Sequence, residues 1–267
     1  MLGAVIGDIV GSVYEWNNYR DKNFDFFKEN CFYTDDTILT IAICDALLKS
    51  GNYKELEVET IKSLRKHTNA YPFATYGPGF LKWVELKEPT PYNSYGNGAA
   101  MRVSPVAYVG RSIDEVKKLA RIVTKVTHNH KEGIKGAEAT AVSVYLARIG
   151  VNIKEIEKFI NKHYYKIDFT IDSIRQRYTF EVSCQKSVPQ ALQAFFESYS
   201  FEDAIRNAIS IGGDSDTIAA IAGSVAGAYY KIPEDMKRKA RTYLDKELQD
   251  KITQFLNSYE NIVIEKH

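Results

Sequence analysis

Gly212-Gly213-Asp214-Ser215-Asp216-Thr217 leads directly into the run IAAIAGSVAGAYY, residues 218–230, and this stretch decides how the chain folds. The run carries no charge and is rich in small residues. A helix that is apolar around its whole circumference must be buried on every side. Ala219, Gly223 and Gly227 recur every fourth residue, so they share one face that a neighbouring helix can approach closely. Near the start of the chain Gly3, Gly7 and Gly11 repeat the device. The two segments are expected to pack together at the centre of the molecule. The apolar run is shorter than the roughly 18 residues that a membrane span requires.

Outward from this stretch, helical spacing prevails. Residues 38–48, 113–126, 138–149, 153–163, 188–199 and 201–211 each place apolar side chains on one helical face, and residues 237–256 read as one final, more polar helix. Period-two alternation is scarce, and residues 169–182 are the best place for irregular chain. Tyr71-Pro72, Gly77-Pro78-Gly79 and residues 88–97 read as loops between helices. No fixed-period repeat and no Gly/Ser-rich linker appear. One compact all-α domain over residues 1–267 is therefore expected.

Composition narrows the function classes. The chain has 267 residues, is 45% hydrophobic and has a formal net charge of +1. Lys and Arg are dispersed, which argues against a nucleic-acid surface. Cys31, Cys44 and Cys184 are odd in number and lack C-x-x-C spacing, so a disulfide framework or zinc knuckle is not expected. The apolar N-terminal segment has no basic leader and is interrupted by Asp8, which reads as a core helix rather than a signal peptide. A cytoplasmic, monomeric protein with no membrane partner is the expectation.

The acidic string at Asp214 has a counterpart, Tyr33-Thr34-Asp35-Asp36-Thr37, again ahead of an apolar helix. Thr34 suits an N-cap, and carboxylates in a first helical turn favour the positive end of the dipole. Capping, however, needs only one oxygen. Two carboxylates about 4 Å apart repel by roughly 4 kcal/mol at an effective dielectric of 20, so a buried cluster must protonate or hold cations. Thr34 and Thr217 add neutral oxygen donors, a set suited to Mg²⁺ or Mn²⁺.

Other candidate parts are weaker alone. Gly96-Asn97-Gly98-Ala99-Ala100-Met101-Arg102 is a small-residue loop able to cradle a phosphate, without a Rossmann or P-loop pattern. Thr127-His128-Asn129-His130 lacks a third soft ligand and reads as a polar helix end rather than a zinc site. His67 and His163 read as ordinary surface or boundary residues. Glu15 matters only if the first helix ends beside the acidic cluster.

In combination these strings are specific. The chain resembles the ADP-ribosylglycohydrolase family, which includes the dinitrogenase-reductase-activating glycohydrolases and the ADP-ribosyl-acceptor hydrolases. GAVIGDIVGSVYEW, YTDDT, GNGAAMR and GGDSDTIAAIAGSVAGAYY carry the likeness, in the family's order, over residues 1 to 230. The resemblance implies an orthogonal helical bundle with a central pair of divalent cations, Mg²⁺ or Mn²⁺. It implies Thr34, Asp35, Asp36, Asp214, Asp216 and Thr217 as metal ligands, and Glu15 on a mobile flap. It implies Gly96, Asn97, Gly98, Ala99 and Met101 as the diphosphate loop, with His128 near the bound ADP-ribose. Glu15, Asp35 and Asp36 are then the candidate catalytic residues. The implied reaction hydrolyses the glycosidic bond between ADP-ribose and an acceptor on a protein, nucleobase or small molecule. A binding protein without turnover and a phosphohydrolase cutting the diphosphate are the alternatives. Ser215 stands where many members have Thr.

Overall fold

Residues 1–259 are described by a computed structural model. Along the chain run α1 (Leu2–Gly11), a 3₁₀ turn (Glu15–Asn17), α2 (Asp35–Lys49), α3 (Tyr53–Ala70), α4 (Pro78–Glu85) and α5 (Gly98–Met101). Then come α6 (Val106–Val109), α7 (Ile113–Lys125), α8 (Lys131–Arg148), α9 (Ile153–His163) and α10 (Ile171–Ile174). The last are α11 (Cys184–Phe196), α12 (Phe201–Ile209), α13 (Ser215–Tyr229), α14 (Glu234–Arg241) and α15 (Lys246–Tyr259). Among the described residues there is no strand, only an isolated bridge between Gly96 and Ser183. The expected all-α class is the observed one.

The helices start where side chains can cap them. Asn52, Ser112, Asn152 and Ser200 each accept hydrogen bonds from first-turn N–H groups of the helix that follows. Such caps satisfy donors that a helix cannot satisfy internally.

Several boundaries differ from the sequence expectation. Pro78, read as loop, opens α4, where its missing N–H is harmless. α8 starts at Lys131 rather than 138, because His130 Nδ1 accepts the Glu132 N–H at 3.1 Å. The expected final helix is two helices. Met236, Ala240, Leu244, Leu248 and Ile252 keep a four-residue spacing across the break, but Asp245 Oδ1 accepts the Leu248 N–H at 3.0 Å and restarts the helix there.

One continuous apolar core runs through the bundle, and α1 and α13 sit within it. Every residue of α1 is buried, as is α13 from Ser215 to Ala226. The two helices touch backbone to backbone. A Cβ on Gly3 would lie 2.1 Å from the Gly223 carbonyl oxygen, and one on Gly7 would lie 2.1 Å from that of Ala219. A Cβ on Gly11 would lie 2.5 Å from the Asp216 Cα, so the same seam fixes the entry to α13.

His67, expected near the surface, is buried and 3.5 Å from Asp45, which also pairs with Lys49 and Lys251. Burial would raise Asp45, but neighbouring His67 and the hydrogen bonds from Lys251 and Lys49 hold its carboxyl well below the usual range. This cluster ties α2, α3 and α15 together away from the acidic strings. Among the described residues no helix is long and apolar enough to cross a membrane.

Candidate active site

The two acidic strings, 181 residues apart, meet at the core. Thr217 Oγ1 donates to Asp36 Oδ2 at 3.1 Å. Both residues sit in first helical turns, Asp36 in α2 and Thr217 in α13. Asp8 sets the first of these turns in place from α1. Its Oδ1 accepts from Thr34 Oγ1 at 2.8 Å, and its Oδ2 accepts from the Thr34 and Thr37 N–H groups at 3.0 Å each. Thr34 thus donates its hydroxyl proton to Asp8 and accepts the Asp36 N–H. A hydroxyl has two acceptor positions, so one remains.

The second string is held by an unusual turn. Gly212 and Gly213 both have positive φ, +71° and +75°. Asn18, itself left-handed at φ 46°, accepts the Gly213 N–H at 3.1 Å. A Cβ on Gly212 would lie 2.2 Å from Asn18 Oδ1, so only glycine fits. This contact also ties the 3₁₀ turn carrying Glu15 to the Asp214 string. Glu15, Asp214 and Asp216 place one carboxylate oxygen each within 4.8 Å of one another, a buried group that could hold a metal ion.

The electrostatics are those of crowded, buried carboxylates, which must take up protons or cations. Burial raises Asp36 and Asp216 well above the ordinary carboxylate range, with neighbouring carboxylates adding to both. Asp35 is raised for the same reasons, although Thr75 donates to its Oδ1 at 3.2 Å. Burial, reinforced by Asp216 and Asp8, pushes Glu15 up to about 8. Asp214 reaches about 6, again through burial, with Asn97 opposing. Asp36 Oδ1 is buried with no hydrogen-bond partner. An orphaned carboxylate oxygen among four other carboxylates fits a hard divalent cation.

A cavity of about 400 Å³ opens above this cluster. Glu15, Asp35, Asp36, Asp214, Asp216 and Thr217 line it, and so do Gly96, Asn97, Gly98, Met101 and His128. Ala99 is buried behind the loop, and Thr34 lies beneath the cluster. Asn97 joins loop to cluster, donating to Asp214 Oδ2 at 2.6 Å and to Ser187 Oγ at 3.1 Å. The irregular chain ahead of α11 backs the loop, because Val182 accepts the Asn97 N–H and Tyr95 accepts that of Cys184. Most loop N–H groups already have partners: Gly96 uses Ser94 Oγ, Asn97 uses Val182, and Ala99, Ala100 and Met101 use Gly96 or Asn97 carbonyls. The loop therefore presents mainly shape and the Gly98 N–H.

Further residues complete the cavity wall. Trp16, 73% exposed, stacks on Phe180 at 5.7 Å beside Glu15. Thr75, Arg102 and Phe180 also line the wall. Asp8 alone left a trace in the sequence: a carboxylate inside an apolar glycine-rich helix needs a buried partner.

Comparison with known proteins agrees with this architecture. Residues 1–262 match the family described as ADP-ribosylglycohydrolase. ADP-ribosylhydrolase ARH3 of Homo sapiens is 27% identical, covering 91% of this chain and 88% of its own. ADP-ribosylarginine hydrolase Tri1 of Pseudomonas putida (strain GB-1) is 27% identical, covering 87% of this chain and 70% of its own. A solved structure described as an ADP-ribosylglycohydrolase-related protein complex shares the fold with a TM-score of 0.64 at 22% identity, covering 91% of this chain and 96% of that one. With the family match spanning nearly the whole chain, this protein belongs to the ADP-ribosylglycohydrolase family.

Proposed function

We propose that this chain hydrolyses the bond between the anomeric carbon of an ADP-ribosyl group and its acceptor, with two divalent cations, Mg²⁺ or Mn²⁺, held by Thr34, Asp35, Asp36, Asp214, Asp216 and Thr217. The observation that carries the reading is the convergence of both acidic strings, through the Asp36–Thr217 contact, on the floor of a cavity that the Gly96–Met101 loop also lines. When bound, the cations supply a fixed positive charge that orients the distal ribose and polarises its surroundings.

The chain's own residues do the rest. The loop of Gly96, Asn97, Gly98, Ala99 and Met101 receives the diphosphate, with His128 beside it. Anchoring there holds the reacting carbon over the carboxylates, where orientation lowers the barrier. Glu15 Oε takes the proton of the attacking water, because it lines the cavity next to exposed Trp16. Asp35 and Asp36 hold charge at the floor. The departing acceptor atom keeps the bonding electron pair, takes the proton that Glu15 received from the water and leaves past Trp16 and Phe180. Oxocarbenium character at the anomeric carbon is stabilised by the surrounding carboxylates.

The reading is tested on an ADP-ribosylated peptide in the presence of Mg²⁺ or Mn²⁺. Free ADP-ribose is the expected product by chromatography. AMP in its place would mean that the diphosphate is cut, and tight binding without product would mean a binding protein.

The acid cluster also sets a pH dependence. The Glu15 carboxyl titrates near 4.5 when unfolded and near 8 in the fold, so between these values the folded state binds more protons. Its contribution to stability is present below about 4.5 and is lost as pH rises towards 8. Asp214 acts the same way between 3.8 and about 6. The metal-free protein is therefore expected to melt at a lower temperature at pH 8 than at pH 6. Mn²⁺ should stabilise it more at pH 8, because binding displaces those protons. Thermal melts with a chelator and with Mn²⁺ at both pH values check this; equal Mn²⁺ shifts would count against a carboxylate site.

A further inference from the structure

The cavity wall also holds a buried cation. Arg102 follows α5, is 2% exposed and lines the cavity. Its Nη2 donates to Thr127 Oγ1 at 2.7 Å, and its guanidinium carbon lies 5.6 Å from the centre of the Phe80 ring. Among the described residues no carboxylate forms an ion pair with it. Buried charges are normally paired, so this one suits an anion within the cavity.

The hydrogen bond to Thr127 continues to a second cavity residue. Thr127 is fully buried, and its hydroxyl carries one proton. Having accepted from Arg102, it can give that proton to His128 Nδ1 at 2.7 Å or to the Thr124 carbonyl at 3.4 Å. Giving it to His128 uses the strong contact; the reverse, with Nδ1–H donating, leaves the hydroxyl only the long bond to Thr124. On the first arrangement His128 Nδ1 accepts, and the ring proton sits on Nε2. That nitrogen lies against the glycine loop, 3.6 Å and 3.7 Å from the points where a Cβ would stand on Gly96 and Gly98. Burial, with the charge of Arg102 adding to it, holds the ring neutral. Since most loop N–H groups are already used, a ligand on the loop needs donors from elsewhere.

We propose that Arg102 and Thr127 are positioning residues: their hydrogen-bond chain locks His128 as the Nε2–H tautomer and aims that proton at an anion seated on the Gly96–Gly98 loop, the diphosphate of an ADP-ribosyl group. This rests on the functional reading above. Arg102 also places one positive charge in the wall of a cavity whose other charged lining residues are carboxylates.

Three measurements test the assignment in the whole chain. The chain has five histidines, so the His128 signals in a ¹⁵N/¹³C imidazole spectrum are identified by their loss in His128→Asn. The wild-type ring should show protonated Nε2 and bare Nδ1. By calorimetry, Thr127→Val should bind ADP-ribose about ten-fold more weakly, the scale of one lost hydrogen bond, while Thr127→Ser keeps wild-type affinity. In turnover the Thr127→Val loss should appear in KM rather than kcat. A wild-type ring protonated on Nδ1, with ADP-ribose still bound, would overturn the relay alone. Equal affinity in Thr127→Val and Thr127→Ser would overturn its role in binding. Wild-type protein that does not bind ADP-ribose would overturn the functional reading and the diphosphate assignment together.

Discussion

Asp216→Asn is expected to lower ADP-ribose release by roughly 10²–10³-fold or more and, at the same time, to raise the melting temperature of the metal-free protein. The two effects have one cause. Asp216 is buried beside Asp214, and the charges of Asp214 and Asp8 both act against its ionisation. Asparagine keeps the oxygen that accepts the Thr217 N–H at 2.8 Å, so the start of α13 should survive. It removes a like charge from a crowded cluster, which relieves repulsion when no cation is bound. It also removes a ligand, so the stabilisation that Mn²⁺ supplies by mass action should shrink or vanish. Melts near pH 8, with and without Mn²⁺, and a product assay read all three quantities. Wild-type turnover, or an undiminished Mn²⁺ shift, would remove Asp216 from the site. Lost activity with a lower metal-free melting temperature would instead indicate that the carboxylate is a structural anchor.

Gly7→Ala should be the most damaging single methyl in the chain. The added carbon would meet the Ala219 carbonyl oxygen at 2.1 Å, its carbon at 2.4 Å and the Ala220 nitrogen at 2.8 Å. All three are backbone atoms, so no side-chain rotation relieves the clash, and α1 and α13 must move apart. Overpacking of a core typically costs about 1–3 kcal/mol and sometimes more; backbone contacts put this case at or above the upper end. The gain in helix propensity from Gly to Ala returns only about 1 kcal/mol. A fall in melting temperature of roughly 5–10 °C follows for a chain of this size. Activity should fall with it, because the same seam seats Gly11 against Asp216. Gly77→Ala is the control for stability, since a Cβ there meets nothing within 4 Å. Equal stability of the two variants would show that α1 and α13 are not in backbone contact.

Much of this site was legible residue by residue. Asp35, Asp36, Asp214 and Asp216 announce themselves because paired carboxylates ahead of apolar helices exceed what capping needs. The small-residue spacing of α1 and α13 pointed to close contact because glycine removes the side chain that would prevent it. Asp8 was visible but misjudged: as an interruption in an apolar segment it spoke about targeting, whereas in the fold its three hydrogen bonds seat the Thr34 turn. His67 was misread for a related reason, since its partner Asp45 lies on another helix. The break between α14 and α15 escaped because apolar spacing runs through it while one capping carboxylate ends it.

Local chemistry, then, was enough to establish an all-helical chain, two acidic helix entries, a glycine loop and a close helix pair. Those features depend on neighbours within a few residues, where spacing and side-chain type are the whole of the physics. The wall of the cavity was written only in three dimensions. Trp16 stacks on Phe180, Thr75 donates to Asp35, and Arg102 reaches His128 through Thr127. Apart from the Thr127–His128 step, those contacts join separate segments of the chain, and their positions follow from how α1 and α13 seat the rest of the bundle rather than from any preference of the residues themselves.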